Sequence, residues 1–273
     1  MRYTENMMEV LTEILRNLFR GMAYTWEAPK LFGWFHCTMS AAMILAAIVL
    51  YRHDLSLTAE KKKKRLFTAG AVLAVSEVWK QLFLWFNVSK EVYSWWYFPF
   101  QLCSMPMYLC LLLPLCRREM ETAVLRFLGS CGIFAAVCAL AFPVDMLRIW
   151  PLLTLHGFLW HGIMIYTGLI ALSLCPVRKW QDHSHTVLLL LVLACAAEII
   201  NSVGTAAAGS GALPDMFYIS PYIVTQQPVF HDIAVRFGNT VEIMVYLTAV
   251  AVFSYGTGRS ISLWMERRGH ADS

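Results

Sequence analysis

Apolar residues in this chain gather into long runs rather than alternating with polar ones. Seven runs are long enough to cross a bilayer: roughly 31–51, 66–86, 94–116, 122–142, 152–175, 186–208 and 239–263. Each approaches the about 20 residues that a membrane helix needs. The pattern predicts an all-α, polytopic membrane protein of about seven transmembrane helices. The first 20 residues, MRYTENMMEVLTEILRNLFR, read differently. Met7, Met8, Leu11, Ile14, Leu15 and Leu18 recur at helical spacing among charges, which predicts an amphipathic helix lying in the membrane interface. Residues 1–30 are therefore expected to form an interfacial segment, 31–265 one transmembrane domain, and 266–273 a cytoplasmic tail. Connections are short except 209–238, which holds GSGALPD, Pro221 and a QQP.

Composition agrees with the runs. The chain is 58% hydrophobic and 15% charged, against about 25% charged in soluble domains. The net charge of +4 is no nucleic-acid footprint, because the basic residues sit between apolar runs. Lys61–Arg65 (KKKKR) reads as a cytoplasmic loop. Arg117, Arg118, Arg178, Lys179, Arg267 and Arg268 fall on the same side of the alternation, so the N-terminus is expected outside and the C-terminus inside. The basic loop and the overall style resemble bacterial membrane proteins, which places the chain in a plasma membrane. DRY-like and NPxxY-like stretches are missing, which argues against a rhodopsin-type receptor. Cys103, Cys110, Cys131, Cys138 and Cys195 lie inside apolar runs and no CxxC pair exists, so neither a disulfide framework nor a zinc knuckle is indicated. His183 and His185 form an HSH beside Asp182, read as a solvated loop. No metal or cofactor is called for.

Polar groups inside spans are costly and tend to mark function. The second run carries Glu77 and Lys80, the third Gln101 and Cys103, the fifth His156 and His161, the sixth Glu198 and Asn201, and the seventh Asn239 and Glu242. At about 1.5 Å per helical residue, Cys103, His161, Glu77 and Glu198 all lie roughly 15 Å from the same surface. That shared depth points to one polar cavity. Each residue also has a packing role open to it: Glu77 and Lys80 neutralising each other, the histidines donating to backbone carbonyls, Asn201 acting as interhelical glue.

A thiol beside an imidazole is a nucleophile–base pair suited to attack on a carbonyl. Cys103 with His161 is the candidate pair, with Cys110 and Cys138 as rival thiols. Glu77 or Glu198 would orient the imidazole. Gln101 and Asn201 would donate to a developing oxyanion. Pro99 and Pro106 would open the backbone around Cys103. A second class of function uses the same residues without covalent chemistry: a transporter or substrate-binding protein in which Glu77, Lys80, Glu198 and Glu242 relay protons or bind a cation. A structural membrane protein is a third.

FPFQLCSMPMYL, FLGSCGIFAAVCALAFP, LHGFLWHGIMIYTGLIAL and AEIIN occur in that order. Over about residues 65–255 they resemble the transmembrane protein 164 family, which includes the bacterial YwaF-like proteins. The resemblance implies an acyltransferase that moves a fatty acyl chain from a phospholipid donor to a lysophospholipid or similar acceptor through a Cys thioester. Its vertebrate member is regarded as acting on ether lysophospholipids. By position, the nucleophile matches Cys103 in PFQLC and the base His161 in WHGIMI, with His156 as fallback. Entry of water instead of the acceptor would make the same site a phospholipase-type hydrolase. The expected partners are membrane lipids and no nucleic acid. Downstream of Asn201, SVGTAAAGSGALPDMFY stands where YwaF-like chains run into an Asn-Tyr pair.

Overall fold

The structure is a computed structural model that describes residues 2–143, 145–209 and 211–271. Every regular element among the described residues is helical. In chain order they are α1 (Arg2–Gly21), α2 (Trp34–Asp54), α3 (Ala59–Phe83), α4 (Met105–Leu112), α5 (Arg118–Phe127), α6 (Ile133–Ala141), α7 (Pro151–Leu174), α8 (Trp180–Ala207), α9 (Phe230–Phe237) and α10 (Asn239–Ala271). A π turn, Leu128–Gly132, joins α5 to α6 without a break. Five stretches are long and apolar enough to cross a membrane: α2, α5–α6, α7, α8 and α10. The remaining two apolar runs fall on α3, which carries the lysine block, and on the short Leu102–Leu115 helix around α4. The chain is an all-α integral membrane protein. Its last helix runs on to Ala271, through most of the expected tail, and residues 272–273 lie outside the described residues.

α7 is the hub. It packs against α2, α3, α6 and the π turn. In its most apolar stretch 61% of residues are buried by protein, against 17% for α2, so far more of α2 than of α7 is left to face lipid. Glycines bring helices close. A Cβ on Gly168 would lie 2.3 Å from Ile133 Cγ1, and one on Gly129 would lie 2.3 Å from Leu172 Cγ. Small residues at such crossings let backbones approach where lipid supplies no hydrophobic drive.

His36 ties the start of α2 to the end of α6. Its Nδ1 accepts from the Phe32 N–H at 3.0 Å, so Nε2 carries the proton and donates to Leu140 O at 2.8 Å. The ring is 3% exposed. His36→Leu is expected to remove both bonds, at about 1–3 kcal/mol in all, since Leu140 O keeps Ser40 Oγ at 3.2 Å. A drop of several degrees in the thermal midpoint of the purified protein would register it.

Two expectations need correction. The lysine block is not a loop: Thr58 caps α3 by accepting from the Lys61 N–H, and Lys61–Arg65 form the opening turns of that helix. Lysine is a good helix former, and Lys63 Nζ reaches Glu121 Oε1 of α5 at 2.6 Å. His183 is not in a solvated loop either. It lies inside α8, fully buried, with Nε2 3.1 Å from Ala251 O and 3.2 Å from Ser254 Oγ. The loop reading took its neighbours' polarity for its own. His185, two residues on, is exposed.

α1 docks where α3 ends. Phe19 stacks on Phe86 with centroids 5.8 Å apart, and Asn87 Nδ2 donates to Phe19 O. Arg16 grips Glu91 through both carboxylate oxygens, at 2.6 and 3.0 Å. Met7, Met8, Leu11, Ile14 and Leu18 stay exposed. The hydrogen bond from the Arg16 guanidinium, then its charge, holds the Glu91 carboxyl below its usual range. A carboxyl with a lowered folded pKa contributes above its unfolded pKa, about 4.3, and loses that contribution as pH falls through the lower folded value. Hydrogen-exchange protection of α1 is therefore expected to hold down to that ordinary glutamate range and to fall below it. Glu91→Gln should weaken protection at neutral pH and remove the acid step.

Candidate functional site

The third apolar run is broken. Trp95–Tyr97 is a 3-10 turn, Phe98 and Gln101 are extended, and Leu102–Ser104 form a second 3-10 turn before α4 begins. Sequence accounts for this locally. Pro99 pushes Phe98 out of the α region (φ −55°, ψ 132°). Pro106 occupies the first turn of α4, where a missing N–H costs little. Cys103 is thus not nine residues down a continuous helix, as the depth argument assumed. It sits in the turn that opens a short one. Its carbonyl accepts from Trp160 Nε1 at 2.9 Å, which pins the turn to α7.

Cys103 and His161 line one cavity of about 170 Å³. At about 30 Å³ per water that is room for an ester group, not for acyl chains, which would lie among the helices. Glu77 and Lys80 from α3, Gln101 and Ser104 beside the thiol, and His156 and Trp160 from α7 share the lining. Connecting segments add Tyr97, Asp145, Arg148 and Tyr218. Of the rival thiols, Cys110 is fully buried in the core and Cys138 is exposed on α6, and the cavity lining includes neither.

His161 is 7% exposed, and its Nδ1 lies 2.7 Å from Gly157 O, one turn back on α7. A carbonyl can only accept, so Nδ1 carries the proton of the neutral ring and Nε2 keeps its lone pair. A backbone carbonyl, not a glutamate, orients this imidazole. Glu77 has other partners: Lys80 Nζ at 2.8 Å and Gln81 Nε2 at 2.7 Å. Glu198 is absent from the cavity lining and has only long contacts, at 3.5 Å, with Asn201 and Ser202. The roles expected of Glu77 and Glu198 are corrected on these grounds. Glu242 is likewise absent from the lining, so the four charged residues of the relay reading do not share this cavity. His156 is stacked between Trp79 and Trp160, with centroids 5.9 and 5.5 Å away. Its Nε2 has no hydrogen-bond partner among the described residues.

The two amides expected at an oxyanion grip backbone instead. Asn201, fully buried, accepts from the Met216 N–H at 2.7 Å and donates to Met216 O at 3.2 Å. Gln101 accepts from the Phe217 N–H at 2.9 Å and donates to Asp215 O at 2.8 Å. Together they clasp the turn Met216–Tyr218 of the α8–α9 connection. Tyr218, Asp145 and Arg148 were not singled out as site residues from sequence, because segments between spans read as connections. Arg148 Nη1 contacts Tyr97 Oη at 3.0 Å, and its guanidinium lies 5.1 Å from that ring's centre. An aspartate and an arginine three apart in PVDMLRIW were the available signal. Among the residues searched, no group of His, Cys, Asp and Glu is arranged to hold a metal.

Neither the curated proteins nor the solved structures contain a match to this chain. The TMEM164 family model matches residues 31–210, about two thirds of the sequence, from α2 through α8 and including both Cys103 and His161, and the chain belongs to that family.

Proposed function

We propose that this protein is a membrane-embedded acyl-transfer enzyme acting on lipid esters, with Cys103 as nucleophile and His161 as base. One observation carries the reading. A thiol and an imidazole from separate helices line one cavity, and the imidazole's tautomer leaves Nε2 free to accept a proton. His161 Nε2 takes the Cys103 proton, and the thiolate attacks the ester carbonyl. The tetrahedral intermediate collapses with cleavage of the C–O bond, and His161 returns the proton to the departing alcohol oxygen. A thioester remains on Cys103. A lysolipid hydroxyl gives its proton to the same Nε2 and attacks the thioester carbonyl; the C–S bond breaks, and His161 returns the proton to the Cys103 sulfur. Discharge by water would make the reaction a hydrolysis. Phospholipid donor and lysophospholipid acceptor follow from the family resemblance. The distribution of Lys and Arg supports an N-terminus outside, and the bacterial style of the sequence supports a plasma membrane.

The test is intact-mass and peptide-level mass spectrometry of the full chain in phospholipid nanodiscs. An acyl adduct on Cys103, absent from Cys103→Ala, supports the reading. Wild-type protein that exchanges or hydrolyses acyl chains without such an adduct would remove the thioester route.

A further inference from the structure

The clasp made by Gln101 and Asn201 has an unusual object. Phe217 (φ 60°) and Tyr218 (φ 58°) are consecutive, bulky and both in the left-handed region, which side chains of this size seldom occupy. Phe217 is 1% exposed and stacks on Phe100 at 6.0 Å, closing the back of the turn. The result is that Tyr218 enters the lining of the cavity that holds Cys103 and His161. Strained backbone held this firmly tends to serve a site. The phenol's one side-chain partner among the described residues is Asp145, with Oη to Oδ2 at 3.3 Å. That is long for a hydroxyl donating to a carboxylate, which prefers about 2.5–2.7 Å. The phenol O–H is a donor whose proton has two in-plane orientations, so this loose tether can be exchanged for a better acceptor.

We propose that Tyr218 is a further catalytic residue, whose phenol O–H donates to the ester carbonyl oxygen as negative charge develops there. Gln101 and Asn201 then act as positioning residues that aim it. The proposal rests on the Cys103–His161 reading. As the Cys103 Sγ–carbon bond forms, the carbonyl π pair moves to oxygen, and the phenol stabilises that oxyanion without giving up its proton. The pair returns as the C–O bond breaks, and the leaving oxygen takes its proton from His161. Donors of this kind, set in a water-poor site before reaction, act on the transition state more than on the bound ester.

The experiment compares two reactions of Cys103 in the full chain in nanodiscs. One is acylation by p-nitrophenyl palmitate, followed by nitrophenolate release and by the Cys103 peptide mass. The other is alkylation by iodoacetamide, which forms a C–S bond by displacing iodide and develops no carbonyl oxyanion. Tyr218→Phe keeps the ring and its packing. It is expected to slow acylation by about 10²-fold or more while alkylation proceeds at the wild-type rate. Equal acylation in Tyr218→Phe and wild type would overturn the proposal. So would a parallel fall in both reactions, which would make the residue structural. Failure of wild-type Cys103 to acylate at all, while it still alkylates, would overturn the nucleophile assignment itself, a distinct result.

Discussion

Cys103→Ala and His161→Ala are each expected to lower acyl transfer by on the order of 10³-fold or more, and the double variant to be no slower than the slower single one. A nucleophile and its base act as a unit, so removing the second partner costs little once the first is gone. The same two changes should cost less stability than a core truncation, because both side chains border an existing cavity and neither is held between aromatic rings as His156 is. His156→Ala provides the contrast. That ring is held between two tryptophans, so its removal should cost stability through lost packing and reduce activity less than His161→Ala. Rates from acyl exchange between labelled phospholipids, read beside thermal midpoints, separate these outcomes. Additive losses in the double variant, or His156→Ala as the more damaging histidine change, would move the base away from His161.

What was legible in the sequence follows from the bilayer. Hydrocarbon demands long apolar helices with their backbone bonds satisfied internally, so an apolar run announces a helix; five runs fall on helices long and apolar enough to span, another on α3, and the third is broken. The break in the third run was harder to see. Phe98, Pro99 and Phe100 are as apolar as a continuous span, and hydropathy does not register a lost helical ladder. The two prolines were the available sign. The lysine block misled for the opposite reason: charge suggested a loop, whereas the Thr58 cap and lysine's helical propensity start α3 there. At the site, sequence picked out Cys103 and His161 by depth and by family resemblance, and both line the cavity. Depth says nothing of azimuth, and Glu198 shows the consequence: it lies outside the cavity lining. Partners were equally hidden. No local pattern around Gln101 or Asn201 discloses that each holds backbone more than a dozen residues away.

Asn201→Leu is expected to release the turn Met216–Tyr218 and to reduce acyl transfer by about 10²-fold, with little change in the melting of the bundle. The substitution is close in shape and removes both hydrogen bonds to Met216. The buried Met216 N–H left unpaired costs about 1–3 kcal/mol, while Met216 O keeps the Ile219 N–H at 3.3 Å. Phe217 and Tyr218 meanwhile hold left-handed backbone at a further cost of order 1–3 kcal/mol each, which the clasp helps to offset. The remaining Gln101 bonds to Asp215 O and the Phe217 N–H then share that load with the Ser220 N–H bond to Asp215 Oδ1 and the Phe217–Phe100 stack, so the turn should open locally more often. Local opening need not unfold helices whose core lies along α7. The Met216 and Phe217 amides are therefore expected to exchange at least tenfold faster, about 1.4 kcal/mol or more in opening free energy, while amides of α7 keep their protection. Gln101→Leu should do the same from the other side of the clasp, and Glu198→Gln, with only 3.5 Å contacts to lose, should do neither. If Asn201→Leu accelerates exchange and acyl transfer stays at the wild-type rate, the turn is a structural plug and the phenol it carries has no part in the chemistry.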